Sequence, residues 1–83
     1  MSPLHICAER GFAECAKILV QKTPDMVKAV DKAGNTPLHV ACDWDQIEVI
    51  RVICESSDDP IVITLLNHDK KTPVEVAYES NTQ

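Results

Sequence analysis

The chain has 83 residues, of which 45% are hydrophobic and 25% charged, and its formal net charge is −5. A chain this short forms at most one small domain and buries only about 60% of the surface that its unfolded form exposes, which argues against a large enclosed active site. The composition is that of a globular protein, and the basic residues are scattered, with only Lys70 and Lys71 adjacent, which argues against a binder of nucleic-acid phosphates.

The sequence carries no signal for a membrane or for export. No apolar run approaches the roughly 18 residues that a membrane-spanning helix needs, and the N-terminus lacks the charged-then-apolar pattern of a signal peptide. We therefore expect a soluble intracellular chain, located in the cytoplasm with the nucleus as the alternative. Neither insertion into a membrane nor binding to nucleic acid is expected.

An internal repeat organises the chain. The segment "SPLHICAERGFAECAKILV", which starts at Ser2, matches "TPLHVACDWDQIEVIRVIC", which starts at Thr36, at an offset of 34 residues. The segment "TPVEVAYESN" follows at Thr72, 36 residues further on. Because Pro24 stands twelve residues before Thr36 and Pro60 stands twelve before Thr72, the two extra residues of the longer period are placed around residues 57–59. An insertion there is expected to lengthen a surface loop at little cost.

Each of the three pairs that recur in the repeat, Ser2-Pro3, Thr36-Pro37 and Thr72-Pro73, predicts the start of a helix. The hydroxyl caps free amide groups at the helix start, and proline fits the first helical position. Helices are therefore predicted to begin at Pro3, Pro37 and Pro73, and Gly11 is predicted to end the first with a left-handed residue. A second apolar run follows in the first two units, so each of these is predicted to be a short helical hairpin. The apolar residues are Leu4, Ile6, Cys7 and Ala8, then Cys15, Ala16, Ile18, Leu19 and Val20 in the first unit, and Leu38, Val40, Ala41 and Cys42, then Val49, Ile50, Val52, Ile53 and Cys54 in the second.

The segments between the hairpins predict extended arms with tight tips. In "TPDMVKAVDKAGN" the turn ends at Gly34, which is free to take a positive φ. Lys70 stands at the same place in the next arm, and Asp45 stands where Gly11 stands in the first unit, so both are predicted to be left-handed despite their side chains. Such units have no closed core, and their stability must come from stacking on one another. The apolar residues that anchor the two arms are Val27, Ala29 and Val30, and Ile61, Ile63 and Leu65.

Four cysteines allow a thiol-based alternative. Each lies within an apolar stretch and there is no CxxC pair, so we predict reduced thiols in the core. The alternatives are a zinc site formed by His5, Cys7, His39 and Cys42, whose spacing fits no zinc finger, or a redox-responsive thiol protein. No cofactor, metal site or disulfide is predicted. The cysteines are Cys7, Cys15, Cys42 and Cys54.

These features resemble the ankyrin repeat family. The period, the "SPLH" and "TPLH" motifs and the glycine turns carry the resemblance across essentially the whole chain. It implies a mainly α fold, an ankyrin-repeat solenoid of stacked helix-turn-helix units joined by extended hairpin-like arms. The implied division is a first repeat without its arm in residues 1–22, a full repeat in 23–57, and an arm with a first helix in 58–83. It also implies that His5 and His39 hydrogen-bond the backbone of neighbouring turns, whereas Glu75 and Tyr78 depart from the pattern.

The resemblance further implies a protein-protein interaction module that binds a partner through its arm tips and concave helix surface. The alternative is a passive scaffold or spacer within a multidomain protein. Trp44 could anchor a partner, since tryptophan is enriched at interface hot spots, or it could cover the junction between repeats. The partner-binding candidates are Glu9, Arg10, Lys32, Ala33, Asn35, Asp43, Trp44, His68, Asp69, Lys71 and Glu79.

Catalysis is not expected. The carboxylates are explained by solvated helix ends, and the serines at 56 and 57 have no histidine in register. The segment reads as a piece of a longer array, so we expect it to be marginally stable alone. Its uncapped ends would be covered by further chain or by self-association with a second copy.

Overall fold

The computed structural model describes residues 2–56 and 65–81, and these form five α-helices and one 3₁₀ helix. No strand occurs in these two ranges, nor does any helix long and apolar enough to cross a membrane. The α-helices are α1 (Pro3–Arg10), α2 (Ala13–Lys22), α3 (Pro37–Asp43), α4 (Ile47–Ser56) and α5 (Pro73–Asn81), and the 3₁₀ helix is Pro24–Lys28.

The three predicted helix starts are confirmed. The hydroxyl of Ser2 accepts a hydrogen bond from the amide of His5 at 3.3 Å, and the hydroxyl of Thr36 accepts one from the amide of His39 at 3.3 Å. At α5 the hydroxyl of Thr72 accepts from the third helical amide at the same distance, 3.3 Å. Each hydroxyl satisfies an amide that has no partner within its helix, and proline follows it at the first helical position.

The helices form two layers. Helices α1, α3 and α5 lie side by side in one layer, and α2 packs beside α4 in the other, with α1 and α3 each packed against the second helix of its own hairpin. Helix α3 is the most enclosed, because it has a neighbour on each side, and every residue from Pro37 to Cys42 is buried. The core is therefore built between repeats as well as within them, as the mainly α solenoid prediction requires.

The second apolar run of each hairpin is only partly core, which corrects the prediction for two cysteines. Ala16 and Val20 are buried four residues apart on the inner side of α2, so Cys15 and Ile18 turn toward solvent. In α4 the buried positions are likewise four residues apart, and Cys54 is exposed beside them. The prediction that all four cysteines lie in the core was wrong for Cys15 and Cys54. A run of apolar residues does not determine which of them face the core side of a helix.

The first arm is not extended along its whole length. It begins with the 3₁₀ helix Pro24–Lys28, which proline starts and which buries Val27, and it becomes extended only at Ala29. The tip is a tight turn in which the amide of Asp31 donates to the carbonyl of Asn35 at 3.0 Å. In the second arm, the predicted insertion at 57–59 and the anchors Ile61 and Ile63 lie outside the described residues, and Leu65 is half-buried.

All four predicted left-handed residues are confirmed. Gly11 and Gly34 both have φ of 77°, Asp45 has φ of 55° and Lys70 has φ of 61°. The left-handed conformation brings Cβ close to the carbonyl oxygen, at a cost of roughly 1–2 kcal/mol, and aspartate tolerates it better than lysine because its short side chain can hydrogen-bond locally. Two of the four turns therefore carry strain that glycine would remove.

Lys70→Gly is expected to raise the free energy of unfolding by about 0.5–1 kcal/mol, because it relieves this strain at an exposed turn. The matched change Asp45→Gly should give a smaller gain or none. Urea unfolding followed by circular dichroism measures both. A loss of stability in the Lys70 variant would show that the side chain makes a contact worth more than the strain.

Candidate functional site

Two buried histidines connect each repeat to the arm that follows it. The ring of His39 accepts from the amide of Thr36 at Nδ1 (3.2 Å), lies 2.7 Å from the Thr36 hydroxyl, and donates from Nε2 to the carbonyl of Lys71 at 2.8 Å. A backbone amide can only donate, so Nδ1 must be the acceptor and Nε2 must carry the proton. His5 repeats the pattern, with its Nε2 2.7 Å from the carbonyl of Asn35. The role that the resemblance implied for both histidines is confirmed, and neither ring nitrogen is left for a metal.

The arm tips are held by equivalent polar side chains. Asp31 Oδ1 accepts from the amides two and four residues further on, both at 2.9 Å, and Asn67 Oδ1 does the same at 2.9 and 3.1 Å. The tips are also bonded to each other, because Asn67 Nδ2 donates to Asn35 Oδ1 at 2.9 Å and the amide of His68 donates to the carbonyl of Ala33 at 2.9 Å. These bonds join the two arm tips into one continuous wall.

This wall and residues of helices α1, α3 and α5 line a groove. It has a volume of about 420 Å³ and opens to solvent. We call it the tip–helix groove; the described residues that line it are Glu9, Asp31, Asn35, His39, Val40, Asp43, Trp44, Asn67, Asp69, Lys71, Val76 and Glu79.

Seven of the eleven candidate residues line the tip–helix groove and four do not. Those in the lining are Glu9, Asn35, Asp43, Trp44, Asp69, Lys71 and Glu79, and those outside it are Arg10, Lys32, Ala33 and His68, which are all exposed. Candidate selection missed Asp31, His39, Val40, Asn67 and Val76. Asp31 and Asn67 could have been predicted, because each is an acidic or amide residue that begins an arm turn.

Trp44 has a solvent-exposed position at the end of α3. Its amide donates to the carbonyl of Val40 at 3.1 Å, and the residue is 56% exposed. Helices α1 and α5 already pack on both sides of α3, so more than half of the surface of Trp44 stays exposed with both neighbours in place. It is the chain's only tryptophan.

The charge of the groove is predominantly negative. Its described lining holds five carboxylates and one ammonium group, that of Lys71. Lys71 forms an ion pair with Glu79 across the exposed rim, and the hydrogen bond in this pair raises the pKa of the lysine. A cationic ligand group therefore meets more attraction than repulsion in this groove.

The thiols divide into two buried and two exposed groups. Burial raises the pKa of Cys42 to about 11, and it also raises the pKa of Cys7. No cluster of three or more potential ligands that could hold a metal ion occurs within residues 2–56 and 65–81. The zinc alternative therefore has no geometric support in this part of the chain.

Thiol labelling is expected to separate these groups. At pH 8 the buried Cys42 thiol stays protonated, because its pKa lies well above that pH, and access is blocked, so iodoacetamide should modify Cys15 first and Cys42 last. Peptide mass spectrometry over time reads the order. Urea should make all four thiols equally reactive, and equal rates in the folded protein would contradict the burial of Cys42.

The sequence of the chain matches a family of repeat proteins, in agreement with the helical repeats described above. A family model described as "Ankyrin repeats (3 copies)" matches residues 1–64. Ankyrin repeat and SOCS box protein 11 of Mus musculus is 35% identical over 54 residues, which are 65% of this chain and 16% of that protein. Protein phosphatase 1 regulatory subunit 12A of Mus musculus is 34% identical over 76 residues, covering 92% of this chain and 7% of that protein.

A viral protein is similar over a larger share of its own length. I-Kappa-B like protein G2 of Microplitis demolitor bracovirus (isolate Webb) is 33% identical over 63 residues, which are 76% of this chain and 36% of that protein. The matched segments thus span between 7% and 36% of the length of these relatives.

Proposed function

Because the chain belongs to the ankyrin repeat family, we propose that it binds a partner protein in the tip–helix groove. Ankyrin repeats are generally protein-interaction modules and are typically non-enzymatic. We accordingly propose a binding role without catalysis or a cofactor, carried out inside the cell. The repeat boundaries at 1–22, 23–57 and 58–83 remain part of the proposal.

The observation that carries this proposal is the exposure of Trp44. Leaving a large apolar side chain in water forfeits about 1.5–3 kcal/mol of burial energy. Packing against neighbouring repeats recovers only part of that energy, since Trp44 is 56% exposed with both neighbours present. A partner that covers the indole would recover it, which favours the anchor role over the junction role. The remaining lining candidates would surround that anchor.

The names of the relatives suggest the kind of protein in which such a module acts. One is a regulatory subunit of a protein phosphatase and another contains a SOCS box. We propose that this chain likewise supplies the binding surface of a regulatory or adaptor protein. A passive scaffold or spacer is the second candidate, favoured by the small share of each relative that the chain spans. If the chain is a spacer, changing residues in the groove should not alter which proteins it binds.

Partner capture from cell extract tests the binding role. Trp44→Ala should lose proteins that the unaltered chain retains, while Ile47→Ala should retain them, because Ile47 is equally exposed, at 60%, but lies outside the groove lining. Far-UV circular dichroism verifies that both variants stay folded. Identical sets of captured proteins for both folded variants would contradict the proposal and support the spacer.

A further inference from the structure

We propose that the tip–helix groove takes an exposed segment of its partner that carries arginine, with one guanidinium group stacked on the indole of Trp44. The inference rests on the proposed function, since it names the chemistry of the partner. It draws on the shape of the groove, its aromatic side chain and the sign of its charge together.

The size of the groove favours side chains of a segment over a folded surface. A volume of about 420 Å³ is within the range of sites that enclose small groups, and it is bounded by the arm tips on one side and helix ends on the other. Val40 and Val76 add apolar surface to its lining. The methylene stem of a long side chain can pack on such a surface while its charged end meets the polar rim.

The charge of the groove selects a cation. Its carboxylates come from different elements: Glu9 from α1, Asp31 and Asp69 from the two tips, Asp43 from α3 and Glu79 from α5. Charge of one sign on several sides of a concave surface concentrates the potential within it, speeds the approach of an opposite charge and repels like charge. The ammonium group of Lys71, the one cation among the described lining residues, is already paired with Glu79.

Trp44 distinguishes arginine from other cations. A guanidinium group over an indole gains a cation–π attraction, for which tryptophan is the best aromatic partner. Arginine is planar, so it can stack on the ring and still direct its N–H groups in its own plane toward a carboxylate. Lysine presents a strongly hydrated point charge that does neither as well. An exposed tryptophan, together with an excess of carboxylates over ammonium groups in the described lining, thus favours arginine.

Trp44 fluorescence tests the proposal directly, because the chain's only tryptophan lies in the groove. The probes are short synthetic peptides that alternate serine with arginine, lysine, citrulline or glutamate; citrulline keeps the shape of arginine and removes its charge. The arginine peptide should change the emission in a saturable way. The lysine peptide should bind about three- to tenfold more weakly, and the other two should not bind. Equal binding of the citrulline or lysine peptide would overturn the proposal.

A pair of charge variants separates the groove from the overall negative charge of the chain. Glu9→Gln with Asp69→Asn removes two lining carboxylates that take no part in the turn bonds above, and should weaken the arginine peptide about fivefold or more. The matched pair Glu14→Gln with Asp25→Asn makes the same change in net charge at exposed sites outside the lining and should leave affinity unchanged. Equal weakening by both pairs would mean non-specific attraction, and would overturn the proposal.

The two proposals fail differently. If Trp44→Ala loses captured proteins but the arginine peptide neither binds nor competes with them, the partner chemistry is wrong and the binding role stands. If the peptide binds as expected but no protein depends on Trp44, the binding role fails. For the Trp44 variant itself, anisotropy of a labelled arginine peptide replaces indole emission and should show the affinity lost.

Discussion

His39→Ala is expected to lower the free energy of unfolding by about 3–4 kcal/mol, enough to unfold a small domain of this kind in part or completely. The imidazole occupies a fully enclosed position and holds three groups at once: the amide and hydroxyl of Thr36 and the carbonyl of Lys71. Thr36 is 1% exposed, so water cannot replace the lost partner without opening the helix start. The substitution also leaves a cavity between two repeats.

Glu75→Ala is the matched control, because Glu75 stands at the corresponding position of the third unit. Its carboxylate accepts from the amide and hydroxyl of Thr72, each at 3.1 Å, but it is exposed and both bonds stay within its own helix start. Its loss should cost only about 0.5 kcal/mol. Urea unfolding of both variants, followed by far-UV circular dichroism, measures the difference. Similar losses would mean that the connection from His39 to Lys71 adds nothing to stability.

Gly34→Ala is expected to cost about 2–3 kcal/mol, more than an ordinary turn substitution. A Cβ at residue 34 would lie 2.9 Å from the backbone nitrogen of His68, and φ of 77° is unfavourable for alanine. That nitrogen donates to the carbonyl of Ala33, so the clash falls on the bond that joins the two arm tips. Relief would separate the tips and open one wall of the tip–helix groove.

Gly11→Ala controls for the backbone strain alone. Gly11 has the same φ of 77°, but its added Cβ would meet the far end of the Gln46 side chain, with 2.5 Å to Oε1, and that side chain can rotate away. The cost should be about 1–2 kcal/mol, most of it from the strain, with a small part from the bond between Gln46 and the carbonyl of Glu9. Unfolding curves in urea give both values, and equal losses would show that the tips accommodate a side chain freely.

Local chemistry made much of this fold predictable. A hydroxyl followed by proline determines where a helix begins, and glycine or its substitute determines where the chain turns, so Ser2, Thr36, Asp45 and Lys70 could be assigned from spacing alone. The long-range hydrogen bonds of the two histidines were predicted from the family resemblance. Spacing could not supply them, since each spans about 30 residues.

The remaining features depend on packing between repeats, which the amino-acid sequence determines only indirectly. The exposure of Cys15 and Cys54 depends on helical phase relative to a neighbouring repeat, and the 3₁₀ helix Pro24–Lys28 depends on how Val27 reaches the core. The charged rim of the groove was predicted, but Asp31 and Asn67 were not, because a side chain that holds a turn can also face a groove and spacing does not show this. Both also contribute polar lining.

Mapping a captured partner onto the chain by ¹⁵N–¹H correlation spectra tests the central claim, that the tip–helix groove is the binding surface. The account predicts that the Trp44 indole N–H signal and the amides of Glu9, Asn35 and Asp69 shift on titration, while those on the exposed sides of α2 and α4 do not. Shifts confined to Ile18 and Ile47 on those two helices, with the indole signal unmoved, would contradict it.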